Sequence, residues 1–311
     1  MIIGFIDDTI SLSPKIRFII EILLVLYIIF VSGKQINDFH GLWGLTTIPE
    51  YISIPLTIFA SVGIINAINL IDGVDGYSSG YTIVSSIIFS IVFFTLGNIR
   101  MAALAVIVAA SLIPFFLHNV FGKYSKMFIG DAGTLSLGII FSIFVINILS
   151  PYDQSQYISP NFGLIPFTLA VMCIPIFDTL RVMSMRIIRG KSPFSADKTH
   201  LHHLFIELGF SHWGTTISII TINILVVLCW YLSYKIGLSI DIQLYIVVAL
   251  GILITFGFYP ATQNHIRKQT KLYYFLHKIG LKTQTTDKTT WKKIQKFIDQ
   301  STSKEIRDMY K

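Results

Sequence analysis

The densest group of side chains capable of chemistry is the stretch from Asn66 to Gly76, which reads Asn-Ala-Ile-Asn-Leu-Ile-Asp-Gly-Val-Asp-Gly. Three-residue spacing puts Asn66, Asn69 and Asp72 on one face if the helix continues that far. The two Asp-Gly steps then let the backbone turn and approach a ligand closely. An Asp-Gly turn between two helices is the simpler alternative. Because ionisable groups beside apolar runs usually serve function, we predict a polar ligand site.

Two further acidic motifs point to catalysis or metal binding. Asp7 and Asp8 are adjacent, and their mutual repulsion favours a base or a bound cation nearby; a solvated helix end is the alternative. Asp131 lies between Gly130 and Gly133, just before an apolar run. It could cap that helix, but exposed backbone N–H groups around one hard oxygen ligand also suit a magnesium pyrophosphate complex.

A loop rich in arginine and histidine follows the sixth apolar run. It begins near Arg181 and ends in His200-Leu-His202-His203. Guanidinium groups match phosphate oxygens, so we predict an anion site. Zinc is the alternative ligand for the histidines, although structural zinc sites usually gather four ligands and no cysteine lies nearby.

The elements that must position these motifs are membrane helices. Of 311 residues, 53% are hydrophobic and 13% are charged, and the mean hydropathy is +0.68, which is too apolar for a soluble globular protein. We predict an all-α, polytopic transmembrane helical bundle with about eight spans of the length that a hydrocarbon core requires. The predicted spans lie near residues 16–32, 51–71, 77–96, 101–119, 133–149, 161–180, 214–234 and 239–259.

The net charge of +7 reflects membrane orientation rather than nucleic-acid binding. Of the 24 lysines and arginines, only Lys34, Arg100 and Lys235 fall in segments on one side of the predicted membrane. The positive-inside rule therefore places the N-terminus and all the polar motifs in the cytoplasm. Cys173 and Cys229 lie within apolar runs and indicate neither a disulfide nor a thiolate metal site.

The composition divides the chain into a membrane domain, residues 1–260, and a basic tail, residues 261–311. The tail is predicted to contain an amphipathic helix on an anionic membrane surface; a solvated, partly disordered tail is the alternative. Its apolar residues at helical spacing are Trp291, Ile294, Phe297 and Ile298.

In order and placement, four motifs resemble those of the polyprenyl-phosphate N-acetylhexosamine-1-phosphate transferases, glycosyltransferase family 4, in particular the bacterial undecaprenyl-phosphate GlcNAc-1-phosphate transferases. The motifs are Asp7-Asp8, Asn66 to Gly76, Gly130 to Gly138 and Ser192 to His203. The resemblance covers roughly residues 1–260. It implies transfer of a sugar 1-phosphate, with GlcNAc 1-phosphate as the expected group, from a UDP-sugar to undecaprenyl phosphate. UMP is released, and the reaction is the first membrane step of a surface glycan such as lipopolysaccharide. The residues themselves do not identify the hexosamine. It also implies Mg²⁺, or Mn²⁺ in its place, and a bacterial inner-membrane protein whose active site faces the cytoplasm.

Together with the residue chemistry, the resemblance assigns roles to three sets of side chains. The predicted catalytic residues are Asp7, Asp8 and Asp72. The predicted metal ligands are Asp131 and Asp72. The predicted substrate-binding residues are Asn66, Asn69, Asp75, Asn119, Arg181, His200, His202 and His203. An in-line displacement at the sugar-linked phosphorus is the simplest mechanism.

The chain departs from the family pattern in two places. Members usually have about three spans before the Asp-Asp motif, and Met1 to Ile6 looks like the end of the third, so we expect N-terminal spans to be missing. Between Asn119 and Asp131, the compact Asn-x-x-Pro-Ala segment is replaced by Val-Phe-Gly-Lys-Tyr-Ser-Lys-Met.

Three other interpretations remain. A transporter would show paired helix breaks in two related halves, and the sequence has no convincing internal repeat. The CDP-alcohol phosphatidyltransferases also use Asp-Gly motifs, but in one longer motif with an Ala-Arg step that is absent here. The third alternative is an inactive, truncated transferase.

The predicted orientation has a direct test. In a chain that lacks Cys173 and Cys229, single cysteines at Ser155 and Ser195 should be labelled from opposite sides by an impermeant maleimide, because one predicted span separates them. Labelling from the same side would contradict the topology.

Overall fold

The computed structural model describes residues 13–150, 161–193, 199–285 and 289–301, with Gly4, Ile6, Thr9 and Ser159 as single positions. The helices of the membrane-embedded part are α1 (Pro14–Ser32), α2 (Glu50–Leu70), α3 (Tyr77–Thr95), α4 (Ile99–Phe121), α5 (Gly130–Leu149), α6 (Leu164–Val171), α7 (Cys173–Ile188), α8 (Leu201–Glu207), α9 (His212–Lys235), α10 (Ile240–Ile252) and α11 (Tyr259–Arg267). The tail forms α12 (Lys271–Lys282) and α13 (Thr289–Ile298).

Six helices are long and apolar enough to cross a membrane. They are α2, α3, α4, α5, α9 and the continuous helix Ile240–Arg267, in which a π-helical stretch joins α10 to α11. The bent pair α6 and α7 makes a seventh if it counts as one span. The described residues contain no β-strand, only an isolated bridge. The chain is a multi-pass, all-α membrane protein, so the predicted fold class is confirmed.

The predicted count of eight spans is not confirmed. Residues 16–32 do form α1, but Lys15, Arg17 and Glu21 lie in its first turns, which makes it more polar than the other spans. Glu21 is buried and accepts a hydrogen bond from Asn66 Nδ2 at 2.5 Å. The charged end of α1 is therefore packed against the motif on α2.

The sixth predicted span is broken, with a bend of 71° between α6 and α7. Pro175, in the first turn of α7, has no N–H, so the carbonyl of Val171 lacks its helical donor. That carbonyl accepts instead from Tyr81 Oη at 2.8 Å and from Asn223 Nδ2 at 2.9 Å, while Asn223 Oδ1 accepts from a backbone N–H of α7 at 3.0 Å. Side chains of α3 and α9 thus satisfy the interrupted backbone, as a membrane interior requires.

Helices α2 and α5 pack backbone against backbone. A Cβ atom on Gly138 would lie 2.7 Å from Ile65 Cα, and Ser142 Oγ donates to Ser61 O at 3.1 Å across the same contact. Small residues at a crossing allow this approach. The contact brings the end of α2 beside the start of α5, where the acidic motifs lie.

The tail helix α13 packs partly on the membrane domain. The rings of Trp291 and Phe121 have centroids 4.6 Å apart, and Ile298 is buried. Phe297 is 71% exposed. Part of the predicted apolar face therefore contacts protein.

The α2–α5 contact predicts a large effect from one methyl group. Gly138→Ala should lower the melting temperature of the detergent-solubilised protein by about 5 °C, because the methyl group forces the two backbones apart. Gly63→Ala is the matched control, since a Cβ there meets open space, and it should leave the melting temperature unchanged or slightly higher. Circular dichroism measures both. Equal melting temperatures for the two variants would show that the close approach is not required.

Candidate active site

The two asparagines of α2 bond to different neighbouring helices. Helix α2 ends two residues before Asp72, so Asn66 and Asn69 are helical while Asp72 lies in the following turn. Asn69 Nδ2 donates to Asp131 Oδ1 at 2.7 Å. Asn66 Nδ2 instead donates to Glu21 on α1. The end of α2 is therefore fixed between α1 and α5.

The two predicted metal ligands are accessible carboxylates at this end of the bundle. Asp72 is exposed, and its Oδ1 accepts from Ser78 Oγ at 2.6 Å. The Asp131 side chain is 38% exposed, with its Oδ2 3.9 Å from Nη1 of Arg17. Its place in the first turn of α5 also favours a negative charge.

Asp75 lies between two basic side chains that the sequence analysis did not assign to the site. Its Oδ2 is 2.7 Å from Lys126 Nζ and 2.9 Å from His212 Nδ1. Burial acts to raise the pKa of Asp75, but hydrogen bonds from His212 and Lys126 outweigh it and hold the pKa below its usual value. Asp75 is thus an ionised carboxylate at neutral pH. No local pattern could reveal partners 51 and 137 residues away.

Asn119 fixes the turn that carries Asp75. Its Oδ1 accepts from Gly76 N at 2.5 Å, and its Nδ2 donates to Met127 O at 2.7 Å. Gly76 has φ +80°, a conformation that favours glycine. Both ends of the predicted substrate-binding amide bond to backbone, so its structural contribution is to hold the turn against the 122–127 loop.

Asp178 organises the histidine loop, although it was not among the predicted site residues. It is buried, and it accepts from Arg181 Nη2 at 2.7 Å and from Leu201 N at 3.1 Å. Its Oδ2 is 3.0 Å from His200 Nδ1. Arg181 is also buried, donates to Thr199 O and stacks on a tyrosine ring of α11 at 3.6 Å. A carboxylate three residues before an arginine was the only sequence signal for this pair.

The three histidine rings lie close to one another, and His202 packs against the α2–α3 turn. His200 and His202 are parallel, with ring centroids 5.7 Å apart, and His202 and His203 are 4.2 Å apart. A side chain at Gly73 would collide with Nε2 of His202. The glycine after Asp72 is therefore needed for the histidine loop to approach. Burial, and then His203 and His200, lower the pKa of His202 to about 3, so it is neutral at physiological pH.

The Asp-Asp motif, Asp7 and Asp8, lies outside the described residues. Gly4 is described, and it packs so closely on Ala132 that a side chain there would collide with the backbone. Gly4 therefore lies at the start of α5, next to Asp131.

Within the described ranges, no three His, Cys, Asp or Glu side chains are grouped so as to hold a metal ion. Zinc, the alternative ligand for the histidines, thus finds no ligand set in that part of the chain. Magnesium differs, because it often takes only one or two carboxylates and completes its shell with water and substrate phosphates. The accessible hard oxygens of Asp72 and Asp131 fit that ion.

Comparison with known proteins supports the predicted family. Residues 1–149 match the family model described as glycosyl transferase family 4. The chain is 34% identical over 215 residues to the "Probable undecaprenyl-phosphate N-acetylglucosaminyl 1-phosphate transferase" of Bacillus subtilis (strain 168), covering 68% of this chain and 57% of that protein.

Two further relatives have similar names. The undecaprenyl-phosphate alpha-N-acetylglucosaminyl 1-phosphate transferase of Yersinia pestis is 31% identical, covering 67% of this chain and 56% of that protein. The decaprenyl-phosphate N-acetylglucosaminephosphotransferase of Mycolicibacterium smegmatis is 32% identical, with coverages of 68% and 55%. The chain spans a little over half the length of these relatives.

The neutral His202 predicts a pH dependence of stability. Its folded pKa of about 3 lies below the ordinary histidine value of 6.5, so the unfolded chain takes up a proton first as the pH falls. The stability contribution is present above about pH 6.5 and is lost as the pH falls from there toward the folded pKa, at up to about 1.4 kcal/mol per pH unit. His202→Gln should lose less stability than the wild type between about pH 7 and about pH 5.5, measured by thermal unfolding. Parallel losses would contradict a buried, neutral His202.

Proposed function

We propose, from the premise that this chain belongs to glycosyl transferase family 4, that it transfers GlcNAc 1-phosphate from UDP-GlcNAc to undecaprenyl phosphate and releases UMP. The observation that carries the proposal is the convergence of polar groups at one end of a membrane bundle. Asn69 holds Asp131 there, and His202 packs on the turn after Asp72. A water-soluble donor and a lipid phosphate must meet at such a boundary. The names of the relatives support the same reaction.

An apolar cavity supports a polyprenyl acceptor. It has a volume of about 610 Å³ and lies among α1, α2, α6 and α7. Its lining includes Phe39 and Trp43 in the loop after α1, and Phe18 and Asn66 near the acidic end. A long hydrocarbon chain bound there would bring its phosphate toward Asn66.

We assign the acidic residues to two roles, binding the metal ion and binding the lipid phosphate. Asp131 and Asp72 would hold Mg²⁺, with Mn²⁺ as the alternative ion. When bound, the metal neutralises charge on the pyrophosphate of the donor. Asn69 holds the Asp131 carboxylate in one orientation. Asp7 and Asp8 are our candidates for removing the last proton of the lipid phosphate or holding that phosphate in place.

We assign the remaining predicted residues to two roles. Some would bind the donor, and others would fix the loops that carry the donor-binding side chains. His202 and His203 would donate hydrogen bonds to the sugar phosphate, and Asp75 would bind the nucleotide. Arg181 is already bonded to Asp178, so we propose that it acts by fixing the loop of His200. Transfer would then proceed by in-line displacement.

The location of the reaction follows from the charge distribution. Most lysines and arginines lie on the side that carries the motifs, so we propose a bacterial inner-membrane protein with its site facing the cytoplasm. Its product would enter a cell-surface glycan such as lipopolysaccharide or another cell-wall polymer.

The reaction is tested with donor labelled in the phosphate next to the sugar. Membranes that contain the protein, undecaprenyl phosphate and Mg²⁺ should transfer this label into the organic phase and release unlabelled UMP in equal amount. A transporter would move label across vesicles without forming labelled lipid. Donor binding without transfer would instead favour the inactive, truncated transferase.

Asp131→Asn should abolish most of this transfer. The neutral amide weakens the ligand, and losing a charged interaction typically costs about 1.5–3 kcal/mol, roughly tenfold to a hundredfold in magnesium affinity. Asp241→Asn is the matched control, because Asp241 also lies in the first turn of a span but accepts from the backbone of Trp43. Transfer is measured against magnesium concentration after gel filtration. Wild-type turnover of Asp131→Asn at limiting magnesium would exclude Asp131 as a ligand.

A further inference from the structure

One buried carboxylate, directly after helix α13 of the tail, binds the 122–127 loop. Asp299 is 6% exposed. Its Oδ1 accepts from the backbone N–H groups of Lys123 at 3.1 Å, Tyr124 at 3.2 Å and Ser125 at 3.1 Å, and from Ser125 Oγ at 2.8 Å. Successive N–H groups directed at one anion form a specific binding arrangement. The next residue along the loop is Lys126, which pairs with Asp75.

A second part of the tail binds the turn before α9. Ser211 N donates to Thr283 Oγ1 at 2.9 Å, and Ser211 Oγ donates to Thr283 O at 2.8 Å. Gln284 Nε2 donates to Gly209 O at 3.0 Å. Ser211 caps α9, and the next residue is His212, the second basic partner of Asp75.

Both basic partners of Asp75 therefore follow directly after residues held by the tail. We propose that the C-terminal segment, through Asp299 and Thr283, positions Lys126 and His212 around Asp75. Asp299 and Thr283 are positioning residues, since neither contacts Asp75. Forming the ion pair costs conformational entropy, because Lys126 must be held in one geometry. If the tail has already fixed the backbone at Lys126, part of that entropy cost is removed. The consequence for catalysis, tighter donor binding, rests on the proposed function.

The primary test measures backbone hydrogen exchange and needs no activity. In Asp299→Ala, the N–H groups of residues 123–125 lose their acceptor, so their exchange should become at least about tenfold faster. If the tail positions the partners of Asp75, the amides of Asp75 and Gly76 should also exchange faster. Gln300→Ala changes the exposed neighbour and should alter neither set. Asp299→Asn keeps one carbonyl oxygen and should give an intermediate effect.

The contact of Thr283 with Ser211 is tested by Thr283→Val, which replaces the hydroxyl group with a methyl group of similar size and so removes the acceptor of Ser211 N. Faster exchange is expected at Ser211 and at Asp75. Faster exchange confined to residues 123–125 or to Ser211, with exchange at Asp75 and Gly76 unchanged, would overturn the proposal. The tail would then stabilise only the backbone that it contacts directly.

Donor binding then tests the catalytic consequence. The dissociation constant for UDP-GlcNAc should rise about threefold to tenfold in Asp299→Ala, and Asp299→Ala should add no further loss in an Asp75→Asn background, because the two residues would act through one ion pair. Independent, additive losses would contradict the link to Asp75. If the wild type neither binds nor transfers the donor, the proposed function fails, while the exchange measurements still decide whether the tail positions the Asp75 cluster.

Discussion

The polar end of the bundle depends on pairing each partly buried carboxylate with a donor from another part of the chain. An unpaired charge beside hydrocarbon is costly. Asp131 on α5 is held by Asn69 on α2, and Asp75 is held by Lys126 and His212. Because these contacts join distant segments, they fix which loops meet at this end. Apolar packing elsewhere holds the helices together, but it is less directional than these polar contacts and does not determine which loops meet.

Pairing and burial also determine which side chains near the site carry an uncompensated charge. Arg181 is neutralised by Asp178 inside the protein, and burial keeps His202 uncharged. The histidine loop therefore presents the neutral imidazole of His202 to the turn after Asp72. Lys126 and Arg17 supply cationic groups beside the acids, and each lies next to a carboxylate. A negatively charged substrate would meet these two cations beside two accessible carboxylates, which suits a ligand that arrives with a divalent ion.

Sequence predicted most of the fold because membrane spans are set by local composition. The bounds of α2, α3, α4, α5 and α9 agree with the apolar runs to within about three residues. The bend after Val171 was not predicted, since it depends on Asn223 and Tyr81, which replace the lost helical donor. The count of eight is not confirmed, because α1 carries Lys15, Arg17 and Glu21 in its first turns. The cost of burying Glu21 is offset by Asn66.

The site was predicted in part, for a related reason. Asn69 and Asp131 lie in recognisable local motifs, and the structure brings them together. Asp178, Lys126 and His212 have no such signature, because their roles follow from contacts between segments that are remote in sequence. The close approach of His202 to Gly73 likewise could not be predicted without the fold, although the glycine itself belongs to a motif that is recognisable in the sequence.

The loop after Asn119 is held in place by side chains from other parts of the chain. It contains no proline between Asn119 and Asp131, and it supplies Lys126 to Asp75. A loop without proline loses more backbone entropy when ordered. Here Asn119 holds its far end through Met127 O, and Asp299 binds three consecutive N–H groups in its middle. The loop is thus ordered by hydrogen bonds from α4 and from the tail. The tail and this loop consequently form one structural unit with the turn that carries Asp75.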